Sequence, residues 1–145
     1  MAARDLASVT RAVRRCLAKQ RDVSAGYLFG SVAGGRARPD SDIDVGVLLD
    51  PCARRGDTLS RRLTLMAELG AALGRSDVDV VILDDAPPLL AHRVLSKGRL
   101  VFERSRAARV RFQVRTAGRY LDLVPALEMH IRSMKKHLRE GQRVG

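Results

Sequence analysis

Apolar residues recur along the chain at two spacings, and the alternation between them lays out its elements. From Asp5 to about Lys19, Leu6, Val9, Val13, Cys16 and Leu17 return every three or four residues, which predicts an amphipathic helix. "SAGYLFG" is a short apolar run ending at Gly30, a strand that turns abruptly into a short helix beginning near Ser31. Pro39 precludes continuation of that helix, "SDIDVGVLLD" reads as the next strand, and Pro51 marks its end. Between Asp57 and Leu73 the helical period returns in Leu59, Leu63, Met66, Leu69, Ala72 and Leu73, with Gly74 as the stop. "DVDVVILDD" is a third strand, "PPLLAHRVLSKG" a helix opened by proline and closed by glycine, and "RLVFE" a short fourth strand. From Arg106 to about Arg139, Val110, Val114, Ala117, Leu121, Val124, Leu127, Ile131, Met134 and Leu138 keep one helical stripe; Pro125 should kink it or split it into two helices.

This order predicts an α/β (α+β) fold: a small mixed central sheet of three to four strands flanked by helices, with a helical C-terminal extension. Residues 1–104 form the expected core and 105–145 the extension, within one domain, the usual count for 145 residues. With 3% aromatics and no Trp, the core must be built from Val, Leu, Ile and Ala. No run approaches the ~20 apolar residues of a membrane span. Charges interrupt "MAARDLASVTRAVRRCLAKQ" too often for a signal-peptide core, so the expectation is a soluble cytoplasmic protein. Cys16 and Cys52 lack ligand or redox spacing and read as ordinary thiols; His92, His130 and His137 read as surface or boundary residues.

Charge modifies this picture in one place. The net charge is +11, but residues 1–103 carry 16 basic and 13 acidic side chains whereas residues 104–145 carry 11 and 3, so the basic face belongs mainly to the C-terminal segment. Such a face suits an acidic protein or nucleic acid, the latter with steeply salt-dependent binding. It equally suits a solvated face on helices that finish the core. Arg outnumbers Lys 23 to 4, a bias that genomic base composition can produce by itself.

The candidate chemistry lies in "GSVAGGRARPDSDID", where Gly30-Ser31 is followed after ten residues by Asp42-x-Asp44. Side chains at i and i+2 of a strand share a face, so Asp42 and Asp44 emerge together while Ile43, Val45 and Val47 face the core. Two adjacent carboxylates repel, and a hard divalent cation, above all Mg²⁺, relieves them. Gly30 lets backbone approach a phosphate, Ser31 adds a donor, and the opening of a helix favours an anion. Asp77 and Asp79 of the third strand offer another carboxylate; if that strand neighbours the second, Asp79 can sit beside the pair. Three carboxylates, two metals and a phosphate-binding turn suit in-line attack on a nucleotide α-phosphate, with pyrophosphate leaving from the Gly-Ser turn.

These residues resemble the nucleotidyltransferase superfamily that includes DNA polymerase beta, and more narrowly its minimal nucleotidyltransferases, the MNT antitoxins of HEPN–MNT toxin–antitoxin pairs. "GSVAGGRARPDSDIDVGV", "DVDVVIL" and "APPLLAHRVLSKGRLVFER" carry the resemblance over most of residues 25–104. It implies a nucleotidyltransferase fold and AMP transfer from ATP to a tyrosine of a partner HEPN ribonuclease, silencing it in a stable hetero-oligomer. Gly30 and Ser31 become the nucleotide-phosphate binders. Asp42 and Asp44 become ligands of a pair of Mg²⁺ ions, and Asp79 the third catalytic carboxylate, a ligand or the base, with Asp77 as runner-up. One departure is Gly34, where many relatives carry Arg; Arg36 or Arg38 are candidates for the missing charge. Two alternatives remain: an antitoxin acting by occlusion alone, and an enzyme for a small-molecule acceptor, for which the extension leaves little room.

Overall fold

The computed structural model describes residues 5–34, 41–53 and 56–143. Its elements run α1 (Leu6–Ala18), β1 (Val23–Phe29), α2 (Gly30–Ala33), β2 (Ile43–Leu49), α3 (Thr58–Leu73), β3 (Val78–Ile82), a 3₁₀ turn (Leu83–Asp85), α4 (Pro88–Lys97), β4 (Arg99–Glu103) and α5 (Arg106–Arg143). The sheet order is β3-β2-β1-β4, with β1 antiparallel to β2 and β4, and β2 parallel to β3. The expected mixed sheet of three to four strands is therefore present, with four.

Local chemistry sets the boundaries. Asp5 and Asp57 cap α1 and α3 by accepting from the Ser8 and Ser60 backbone N–H groups, each at 2.7 Å. Gly74 ends α3 in the left-handed conformation at φ 65°, where glycine carries no Cβ penalty.

The two faces of the sheet bury different sets. Val9, Val13 and Leu17 of α1 and Leu65, Leu69 and Leu73 of α3 pack on Ile43, Val45, Val47, Val78 and Val80. Ala91 and Val94 of α4 and Phe112 of α5 cover Ala25, Tyr27 and Leu48 on the other face. Both faces being covered, β2 is buried almost throughout rather than alternating.

Two expectations need correction. Asp42 lies just before β2 rather than within it. Of the two outcomes expected at Pro125, a kink or a split into two helices, the split does not occur, because α5 runs through it as one helix. Proline there removes one N–H donor, the one that would meet the Leu121 carbonyl four residues back, and Leu121 is 67% exposed, so the gap falls on an open stretch of the helix.

Candidate active site

The predicted residues meet at one end of the sheet. Strand register pairs Phe29 of β1 with Asp44 of β2, and Asp44 with Asp79 of β3, so one row across three strands carries two carboxylates. Adjacent strands lie about 4.8 Å apart, which brings these acids into Coulombic reach of each other. Gly30 follows Phe29 directly and places the Gly-Ser turn at the end of that row. Asp42 stands just ahead of β2, exposed, whereas Asp44 is half-buried.

Gly30 is required twice. Its φ is +75°, in the left-handed region, and a Cβ built on it would overlap Oδ2 of Asp44. The turn is thus moulded directly against the carboxylate. Gly30→Ala is expected to strain the turn and displace Asp44, lowering the Tm by several degrees and nucleotide affinity at least tenfold; parallel melting and nucleotide titration check this.

The helix expected from Ser31 is a single turn of four residues, too short to supply a macrodipole. Ser31 is exposed. Gly34 closes the turn at φ −81°, a conformation open to any residue, so its backbone does not demand the loss of a side chain. Arg36 and Arg38 lie outside the described residues.

Electrostatics separate the acids. Burial first, then the charges of Asp79 and Asp42, push the Asp44 carboxyl above its ordinary value. Asp77 goes the other way: its bidentate pair with Arg75 holds it below the usual carboxylate range. Arg75 also donates to the Ser41 carbonyl at 2.6 Å, and the Asp77 carbonyl accepts from the Ile43 N–H at 3.0 Å. Asp77 therefore fastens the backbone on either side of Asp42. Asp79 is held differently, by Arg62 of α3, whose Nη2 donates to its Oδ1 at 2.8 Å while Nε donates to the Val80 carbonyl at 2.6 Å. Arg62 reaches it from the opposite face around the β3 edge. Nothing in the sequence pointed to Arg62, whose acid lies on another element, or to the reach of Arg75 beyond its near neighbour Asp77 to the Ser41 carbonyl.

Among the described residues, no three His, Cys, Asp or Glu side chains close around a common point as a ready metal cage. The donor set nonetheless fits a hard cation: three carboxylates at one strand end, with one arginine paired to one of them.

The family described as Polymerase beta, Nucleotidyltransferase matches residues 12–107 of this sequence. The chain belongs to that family. This nucleotidyltransferase is 40% identical over 75 residues to the protein adenylyltransferase MntA of Shewanella oneidensis, a match covering 50% of this chain and 49% of that protein. It thus spans about half the length of that relative. Among solved structures, a chain of a toxin–antitoxin complex with AMP-PNP is similar at 28% identity and TM-score 0.72, covering 87% of this chain and 98% of its own. A chain from the complex of tri-AMPylated Shewanella oneidensis HEPN toxin with MNT antitoxin is similar at 25% identity and TM-score 0.69, covering 90% and 98%. A minimal nucleotidyltransferase is 30% identical with TM-score 0.56 and covers 68% of this nucleotidyltransferase and 97% of itself. No helix among the described residues is long and apolar enough to cross a membrane.

Proposed function

We propose that this nucleotidyltransferase is a protein adenylyltransferase antitoxin that transfers AMP from ATP to a tyrosine of a HEPN toxin and so neutralises it in the cytoplasm. The observation that carries this reading is the Asp44–Asp79 register pair, with Gly30 moulded against Asp44. The likeness to MntA and to antitoxin chains solved with a HEPN toxin or with AMP-PNP supports the substrate and the partner.

In this reading Asp42 and Asp44 hold Mg²⁺, and Asp79 is the third ligand or the base that takes the tyrosine proton. Two bound Mg²⁺ ions would lower the pKa of the attacking hydroxyl and offset the charge that develops at the α-phosphorus. Gly30 and Ser31 hold the phosphates while the tyrosine oxygen bonds to phosphorus and pyrophosphate leaves. Arg62 restricts Asp79 to an orientation in which Oδ1 is engaged. Arg75 and Asp77 anchor the backbone beside Asp42.

The test is the intact mass of a HEPN toxin, first the product of the gene neighbouring this chain's own if it is one, after incubation with the purified protein, ATP and Mg²⁺. Added adenylate units that depend on Mg²⁺ are the expected outcome. An unmodified toxin that is nonetheless inhibited in a stable complex would replace this reading with neutralisation by occlusion, the alternative favoured by Gly34 and by the guanidinium already paired with Asp79.

A further inference from the structure

Beyond the catalytic end, α5 leaves a long face that no other described residue covers. Its N-terminal half packs on α4 and β1 and buries Phe112 and Thr116. Past Leu127 it leaves the body: from Glu128 to Gly141 every residue is exposed. That free portion spans about 20 Å, and isolated helices of such length are marginal in water.

Sequence spacing nevertheless keeps an apolar seam on it. Val110, Ala117, Val124, Ile131 and Leu138 recur every seven residues, the repeat of a helix that packs along another helix. Ile131 is 49% and Leu138 65% exposed. A seam maintained over this length, on a helix end with no support from the other described residues, calls for a cover.

We infer that this seam is the docking surface for the toxin partner, which meets it with an apolar helical face rimmed by acidic residues; this rests on the function proposed above. Two observations select that occupant. First, α5 carries ten basic and three acidic side chains, so two copies laid together would repel, whereas an acidic rim would be attracted. Second, the family match ends at residue 107, and the minimal nucleotidyltransferase spans only 68% of this chain, while antitoxin chains from toxin complexes span 87% and 90%. The added coverage of the complex-forming relatives, 19–22% of the chain, amounts to most of the length of α5. Nucleic acid is the poorer fit, since phosphates have no use for exposed Ile, Met and Leu.

The test uses the chain as given and the HEPN toxin that serves as acceptor in the mass assay above. The double variant Ile131→Glu/Leu138→Glu alters two exposed positions far from the acidic cluster, so the fold should be kept, as circular dichroism would verify. The expected result is complex affinity weakened about 100-fold or more, together with slowed amide exchange at residues 128–141 of the wild-type chain on complex formation. Unchanged affinity of the variant, no complex with the wild-type chain, α5-dependent dimers of the chain alone in sedimentation, or salt-dependent RNA binding abolished by the same variant would each overturn the inference. A complex that forms through this seam without adenylate transfer would refute the proposed catalysis and leave the docking inference standing.

Discussion

Asp44→Asn is expected to abolish adenylate transfer, by 1,000-fold or more, while making the metal-free protein harder to unfold. Asp44 is the carboxylate in the middle of the row, half-buried and flanked by Asp79 and Asp42. Its loss removes a proposed Mg²⁺ ligand that Asp79, tied to Arg62, is poorly placed to replace. The stability effect has the opposite sign. An acid whose folded-state pKa is raised binds its proton more tightly when folded, so stability falls as pH rises from the ordinary value of 3.8 through the raised value and stays lower above it. At pH 7 the uncharged Asn is spared that penalty and the variant melts higher; below pH 3.8 the difference fades, because wild-type Asp44 is then protonated as well. Mg²⁺ should raise the wild-type Tm and leave the variant's nearly unchanged. Melting curves across pH and Mg²⁺, beside the mass assay, test all of this. A variant that melts lower at pH 7 would show that Asp44 serves the fold rather than a cation.

The second large effect concerns the fold. Arg61→Ala is expected to cost about 3–5 kcal/mol, a large fraction of the roughly 5–15 kcal/mol available to a domain. Arg61 of α3 makes a bidentate pair with Asp22, both contacts at 2.6 Å, and its Nη2 donates to Gln20 Oε1 at 2.8 Å. The two side chains are only 14% and 10% exposed. Truncation leaves the Asp22 carboxylate buried without a counter-charge in the turn that leads into β1, whose backbone also receives the Asp50 N–H at 2.7 Å. The double variant Asp22→Ala/Arg61→Ala should cost clearly less than the two single changes added together, since it leaves no orphan charge. Urea unfolding with unchanged m-values measures both. A loss below about 1 kcal/mol for Arg61→Ala would mean that the pair is solvated like a surface bridge.

The two arginines adjacent in sequence, Arg61 and Arg62, illustrate where sequence reading stops. One secures the turn before β1 and the other clasps Asp79, yet on paper they are two charges in an amphipathic helix. Periodicity marks the helix because side-chain burial repeats along a single element; it cannot state which distant acid each guanidinium meets. The choice between Asp77 and Asp79 was of the same kind. Spacing put both on one strand face, and only the parallel register of β2 and β3 sets Asp79 opposite Asp44, while Arg75 engages Asp77.

Elements, caps and the Gly-Ser to Asp-x-Asp spacing were legible from the amino acids alone, since turn chemistry, strand alternation and helical period are properties of neighbours in the chain. That β2 is buried on both faces, that α5 runs unbroken through Pro125, and that Gly30 stands against Asp44 were decided in three dimensions. Each depends on what lies across space from a residue: α4 over the sheet, open surface around the helix at Leu121, a carboxylate from the adjoining strand. Such neighbours are set by the packing of whole elements, which no local pattern encodes.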